Sequence, residues 1–432
     1  MQVKRDIFLK RLIARRNNGM VKVITGLRRC GKSYLLGVLY KNHLLANGVK
    51  PDHIVEVALD EPENFQYHNP LKLDAFLKSR IKDDGEYYVF LDEVQFVKKV
   101  RLRDPDLEEE DEITFYSVLN ALMRKRNVDV YVTGSNSKML SGDVRTEFRG
   151  RGDEIRLTPF TFAEFMQIFP GDPRDGWEEY VVYGGLPLAA MADGHEAKSR
   201  YLKNLFDETY LKDVVERGKV RKPEHLSEVV DVLASSVGSF ANARNIENTV
   251  RSEKRAVLKA KTVESYIGRL RDAYLIDRAL RYDVKGRKLI AAQAKYYFAD
   301  PGLRNARLDF RQIEETHLME NVLFNELKVQ GFDVNVGVVE TFGKNAAGSS
   351  VRKQLEIDFV ANRGMERCYI QSALSIDDPE KALQEKRPFA KLGDSFRKIL
   401  VVKGKVPPRV DENGYVVVGL IDFLLAPEKI LV

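Results

Sequence analysis

Gly26-Leu27-Arg28-Arg29-Cys30-Gly31-Lys32-Ser33 sets a glycine at each end of a short loop and follows the second with a lysine and a hydroxyl. This is the spacing G-x-x-x-x-G-K-[ST] of a phosphate-binding P-loop. An apolar run, Val21 to Thr25, precedes it, and Tyr34-Leu35-Leu36-Gly37-Val38-Leu39 follows. A strand, a loop and a helix are expected in that order. Glycines let the backbone wrap a polyphosphate closely, and the amides of Cys30 to Ser33 would point at it from a helix N-terminus. Gly26, Leu27, Arg28, Arg29, Cys30, Gly31, Lys32, Ser33 and Tyr34 are therefore the expected nucleotide-contacting residues. Lys32 would reach the β- and γ-phosphates and the Ser33 hydroxyl would sit on Mg²⁺. ATP and Mg²⁺ are the implied cofactors. Cys30, among these amides, is expected to be biased toward thiolate and to be reactive.

A second apolar run, Tyr87-Tyr88-Val89-Phe90-Leu91, ends in Asp92-Glu93. A buried strand delivering a carboxylate to its C-terminal edge is the Walker B pattern, because ligands of open α/β sheets bind at that edge. Asp92 would hold the metal, and Glu93 would orient and deprotonate the attacking water. A third strand, Val128 to Thr133, runs into Gly134-Ser135-Asn136-Ser137. Ser135 and Asn136 are candidates to hydrogen-bond the γ-phosphate or the water, although turns are rich in both types. Arg145, Arg149 and Arg151 cluster before a strand at Glu154 to Leu157. One of them, supplied by a neighbouring subunit, could neutralise charge in the transition state. A solvated basic turn is the alternative for each.

These runs, with Leu91-Asp92-Glu93-Val94-Gln95, Tyr183-Gly184-Gly185-Leu186-Pro187 and Glu356-Ile357-Asp358-Phe359-Val360, resemble one family in order along nearly the whole chain. It is the prokaryotic AAA+-type ATPases that join the ATPase to a winged helix and a C-terminal PD-(D/E)XK nuclease-like domain. The resemblance implies an α/β, ASCE-type P-loop parallel-sheet core, ATP hydrolysis and homo-oligomeric assembly. It makes Arg151, in the Gly150-Arg151 pair, the preferred arginine acting in trans. It also makes Pro187 the residue of a G-x-P element that contacts adenine from a helical lid. A clear sensor-2 arginine is not found.

The elements that must position these groups divide as 1–160 (ATPase core), 161–220 (helical lid), 221–305 (winged helix) and 306–432 (nuclease-like). At 432 residues each part can bury a core. Two cysteines, Cys30 and Cys368, exclude a disulfide framework. The start Met1-Gln2-Val3-Lys4-Arg5-Asp6 lacks the apolar core of a signal peptide, and no stretch approaches a membrane span. A cytoplasmic location is expected. The six histidines lack metal-ligand spacing. An acidic run, Asp104 to Glu112, reads as a solvated loop, with contact to a basic neighbour as the alternative.

Charge is uneven. Between Arg251 and Lys295 there are 13 Lys or Arg against 5 Asp or Glu, a balance of +8 in a chain whose total is +6. A basic patch on one module is an electrostatic footprint for nucleic acid. Thr262 is expected to cap a helix whose face Val263, Tyr266, Ile267, Leu270 and Tyr274 is apolar, with Arg269 outward. A hairpin turning at Lys285-Gly286-Arg287 follows. Arg269 is the candidate for base contact in DNA; Lys285, Arg287 and Lys288 are candidates for phosphate. A winged helix that contacts only protein is the alternative. In the tail, Glu320 and Asp358 fit a nuclease-like layout, but Gln371-Ser372-Ala373 stands where an acid, any residue and a lysine belong. Metal-dependent hydrolysis needs those groups, so nuclease activity is not expected. The leading reading is an oligomeric Mg²⁺-dependent ATPase acting on DNA; the competitor is a slow, nucleotide-gated scaffold for protein partners. A P-loop kinase is disfavoured by the Asp92-Glu93 pair.

Overall fold

Strands buried on both faces must be covered on both, and the three central N-terminal strands are of that kind. Five N-terminal strands pair in parallel: β1 (Val21–Gly26), β2 (Ile54–Ala58), β3 (Tyr87–Asp92), β4 (Val128–Thr133) and β5 (Gly152–Leu157), in the order β2-β3-β4-β1-β5. The computed structural model describes residues 2–102, 111–134, 151–254, 258–344 and 350–431. Alternate residues serve alternate faces. Val21, Val23, Val55, Val57, Val89, Leu91, Val130 and Val132 pack with helices Pro70–Arg80 and Phe115–Met123. On the other face Tyr40, from a helical run over 32–46, lies 5.9 Å from Phe90 and 5.0 Å from Tyr131, ring to ring. A buried ion pair interrupts that face. Lys22 is paired with Asp129, which also accepts from Tyr131 Oη at 2.7 Å and Asn17 N at 2.9 Å, so the ion pair keeps its hydrogen bonds.

The chain divides into two compact units, Met1–Thr158 with Asp272–Tyr274, and Pro159–Arg271 with Leu275–Val432. The second unit begins with short helices through residue 218, and these cluster with the C-terminal part of the chain. Helices Pro223–Ser235, Ala243–Lys254 and Ala260–Asp272 come next, then a hairpin of β7 (Ile276–Asp283) and β8 (Lys288–Phe298), with β6 (Phe240–Ala241) on its edge. Thr262 is not a cap: its helix starts at Ala260, and Thr262 N already bonds Lys259 O at 2.8 Å.

The boundary expected at 305/306 does not separate two sheets. β7 pairs in parallel with β9 (Asp333–Lys344), and the sheet continues through β10 (Ser350–Arg363), β11 (Glu366–Ala373), β12 (Arg397–Val402), β13 (Arg409–Val410) and β14 (Val416–Gly419). The order is β13-β14-β12-β11-β10-β9-β7-β8-β6. Hairpin and tail share one nine-stranded sheet because β7, paired with β8 on one side, has its other edge open to β9. Among the described residues no helix is long and apolar enough to cross a membrane.

Candidate nucleotide site and the polar centre of the tail

The loop after β1 carries two glycines for different reasons. Gly26 has φ +137°, and a Cβ there would stand 2.0 Å from Leu157 O on β5. Its bareness serves the sheet. Gly31 has φ +97° and caps the helix that starts at Lys32; a Cβ there would meet only Arg5 Nη1 at 3.9 Å, an ordinary contact, so the left-handed backbone rather than crowding favours glycine. Leu27 is buried, while Arg28, Arg29, Ser33 and Tyr34 reach the surface in whole or part. Lys32 is 5% exposed, and its Nζ donates to Gly26 O at 3.3 Å and Leu27 O at 3.1 Å. Its charge is solvated by loop carbonyls within the cradle itself.

The loop is held from behind by Arg5, which sequence reasoning missed. Its guanidinium donates to Cys30 O at 3.1 Å and Thr158 O at 2.8 Å. Nothing in the spacing of Arg5 marks it for that task, since its partners lie 25 and 153 residues away. Cys30 corrects an expectation. Its Sγ faces Leu157 O at 3.6 Å and is fully buried, so burial pushes the thiol up, away from thiolate. Lys32 and Arg5 pull the other way and lose. Only its backbone belongs to the cradle.

The position of β4 between β3 and β1 brings Thr133 beside the Walker B pair. The Thr133 hydroxyl donates to Asp92 Oδ1 and accepts the Glu93 amide at 3.2 Å. Glu93 sits at φ 53°, ψ 51°, a left-handed conformation uncommon outside glycine and frequent at working sites. Its carboxylate accepts from Gln95 Nε2. Gln95 Oε1 is buried without a partner among the described residues. Thr133 and Gln95, which bond to this pair, were also missed from sequence; each was visible only as a strand end or a neighbour. Ser135, Asn136, Arg145 and Arg149 lie outside the described residues. So does most of the acidic run. Glu112, at its end, pairs with Lys99 at 3.2 Å and Arg101 at 3.3 Å.

These residues fit a nucleoside triphosphate with Mg²⁺. Ser33 and Asp92 offer hard oxygen donors of the kind Mg²⁺ takes, and Lys32 offers an ammonium that bonds the carbonyls of Gly26 and Leu27. Arg151 is exposed and lies at the start of β5, its carbonyl bonded to Val21 N at 3.0 Å. The P-loop leaves the sheet level with Leu157, six residues farther along, roughly 20 Å at strand rise. Arg151 therefore cannot serve its own P-loop.

Pro187 belongs to the other unit. It opens helix Pro187–Met191 after Gly184 and Gly185. Those glycines are explained by packing: a Cβ on Gly184 would meet Asp300 Oδ1 at 2.0 Å, and one on Gly185 would meet Phe160 O at 2.2 Å. Asp300 accepts Gly185 N at 2.7 Å and Leu303 N at 3.1 Å, yet burial still raises its carboxyl to about 6. Arg269, expected to face outward, lies over Gly218, whose Cβ would stand 2.2 Å from its guanidinium. Lys285, Arg287 and Lys288 are exposed at the hairpin turn, as their polar pattern requires.

In the tail, Glu320 and Asp358 do converge, and a lysine from the hairpin joins them. Lys295 Nζ lies 3.1 Å from Glu320 Oε2 and 2.7 Å from Glu356 Oε1. Tyr297 Oη donates to Glu320 at 3.3 Å. Asp358 Oδ2 accepts both the amide and the hydroxyl of Ser372 at 2.8 Å, and its Oδ1 accepts Gln371 Nε2 at 3.3 Å. Burial, then the neighbouring Asp358, pushes Glu320 up to about 8 against the pull of Lys295. Burial works against the Lys295 ammonium, but Glu320, Asp358 and Glu356 outweigh it and hold the charge. The sequence signal for Lys295 was absent, because it lies 25 residues before Glu320 on another element.

Comparison with known proteins agrees with the N-terminal geometry. Residues 18–166 match the family model of an AAA domain, and residues 174–314 match a domain of unknown function. An uncharacterized protein of Haemophilus influenzae is 30% identical over 429 residues, covering 98% of each chain. An uncharacterized protein of Methanocaldococcus jannaschii is 24% identical over 374 residues, 83% of this chain and 74% of that one. Among solved structures, the Orc1 protein of Aeropyrum pernix in complex with DNA has a TM-score of 0.28 at 14% identity, covering 72% of this chain and 93% of that one. A protein from Vibrio cholerae has a TM-score of 0.21 at 13% identity, covering 87% and 96%. Likenesses at these TM-scores are too slight to bear on fold or function. The chain belongs to the family of the Haemophilus influenzae protein, and its N-terminal part is a P-loop AAA domain.

Proposed function

We propose that this protein is an Mg²⁺-dependent ATPase of AAA+ type, acting in the cytoplasm as a homo-oligomer and engaging DNA through its helix–helix–helix–hairpin segment. The observation that carries the reading is the Thr133 hydroxyl joining Asp92 to the Glu93 backbone, in a strand next to the P-loop strand. Lys32 binds and neutralises the phosphates; Ser33 and Asp92 hold the metal; Glu93 takes the proton from the attacking water. Mg²⁺, when bound, supplies a Lewis acid for the phosphoryl oxygens. Ser135 and Asn136 stand as the residues that sense the γ-phosphate, and Pro187 as the adenine contact of the helical lid.

Arg151 acts in trans on a neighbour's nucleotide. Its distance from its own P-loop supports that role. Lys285, Arg287 and Lys288 take phosphate and Arg269 takes base edges, a reading supported by the local charge of +8. The tail is a catalytically inactive nuclease-like fold. In support, Ala373 supplies no lysine, Gln371 replaces an acid, and the Lys295 ammonium lies among the carboxylates a metal would need. A second reading, a slow nucleotide-gated scaffold, is favoured by one observation: Gln95 engages the carboxylate of Glu93. Phosphate release from MgATP, measured with and without duplex DNA, tests both. Stimulation by DNA supports the first reading; slow turnover indifferent to DNA supports the second.

A further inference from the structure

Lys285 is exposed yet bonded back onto the chain. Its Nζ donates to Glu340 O at 3.2 Å, because β7 and β9 run side by side and the hairpin turn comes down on the tail. Beside the turn lies a groove of about 510 Å³ whose walls carry Lys285, Lys353, Arg387 and Lys391 against Asp283 and Glu340. Both acids are engaged elsewhere. Asp283 Oδ1 accepts the Gly286 amide at 2.9 Å, and Glu340 is paired with Arg352. Lys353, Arg387 and Lys391 are exposed and form no ion pair with any described residue. Phe342 stands on the same rim, 77% exposed.

A large ring left in water gives the fold nothing, and unpaired cations around it repel one another. Both features gain a purpose with a ligand that is anionic along its length and offers flat apolar faces. Single-stranded nucleic acid has that chemistry: cations follow its phosphates and an aromatic ring stacks on a base. A duplex fits less well. Its bases are already stacked on each other, and a groove of this volume admits a nucleotide or two. We propose that this groove binds a single-stranded stretch of nucleic acid, with phosphates on Lys353, Arg387 and Lys391 and a base on Phe342. The proposal rests on the nucleic-acid reading above and extends it to tail residues outside the helix–hairpin segment.

Fluorescence anisotropy of the full-length protein with labelled oligo-dT and with a labelled duplex, over a salt series, tests it. Phe342→Ala should weaken oligo-dT binding roughly tenfold without changing the salt slope, and should leave duplex binding as it was. Lys353→Ala, Arg387→Ala and Lys391→Ala together should flatten the log–log salt slope for oligo-dT by about 2, at about 0.7 per lost phosphate contact. Wild-type oligo-dT affinity and slope in both variants, with wild-type melting, would overturn the groove. If duplex binding then still depended on Lys285 and Arg287, the reading above would survive without it. If the wild-type protein bound neither probe, both would fall together.

Discussion

The hydroxyl of Thr133 donates to the carboxylate of Asp92, and the same oxygen accepts the amide of Glu93 at 3.2 Å. One side chain on β4 thus holds both the carboxylate proposed to ligate Mg²⁺ and the backbone of the proposed base. Thr133→Val keeps the shape and removes both bonds. A hydrogen bond to a charged group is worth about 1.5–3 kcal/mol. The variant should therefore lose roughly ten- to a hundredfold in kcat for MgATP, with a much smaller change in nucleotide Kd. Steady-state kinetics beside nucleotide titration checks this, and an unchanged kcat would remove Thr133 from the site.

Arg151→Ala should abolish turnover while a subunit still binds nucleotide normally. Mixing it with Glu93→Gln protein creates some interfaces with an intact base facing an intact arginine. Partial recovery of phosphate release is expected. If mixed assemblies form and stay inactive at every ratio, the arginine does not act across subunits.

Glu326 is 4% exposed and accepts from Gln330 Nε2 at 2.8 Å. Burial, helped by Glu164 and Glu428, raises its carboxyl to about 7. A folded-state pKa above the unfolded value means the folded chain holds the proton more tightly. The stabilising contribution is complete below about pH 4.3 and is lost as pH rises through about 7. Glu326→Gln should then be more stable than the wild type at pH 8, with the advantage shrinking toward zero near pH 4. Melting curves across that range decide it; an advantage independent of pH would contradict the burial argument.

Cys30 should resist alkylation in the folded protein, since its thiol is buried and burial pushes its pKa up. Labelling should appear only as denaturant opens the unit. Rapid modification by iodoacetamide at neutral pH under native conditions would mean the loop opens in a way that frees the thiol.

The nucleotide cradle was legible because its signals are local. A buried strand, two glycines and Lys32-Ser33 occupy consecutive positions, and Asp92-Glu93 end an apolar run. What linked them was not legible. Thr133 reaches Asp92 only because β4 inserts between β3 and β1, an order set by tertiary packing. Arg5 and Lys295 act on partners brought near by the fold, with no periodic or motif signal. That the tail continues the hairpin's sheet was not legible either, because pairing of β7 with β9 depends on an open edge rather than on either strand's own residues. Gly185 read as the glycine of the G-x-P element, yet it has a packing reason in Phe160 O.

The central claim is that Glu93 takes the proton from the water that attacks ATP. Single-turnover hydrolysis by Glu93→Gln, with nucleotide binding measured on the same preparation, tests it most directly. ATP should bind at near wild-type affinity and be hydrolysed on the order of 10²-fold more slowly or worse. Hydrolysis at the wild-type rate, with binding intact, would contradict it.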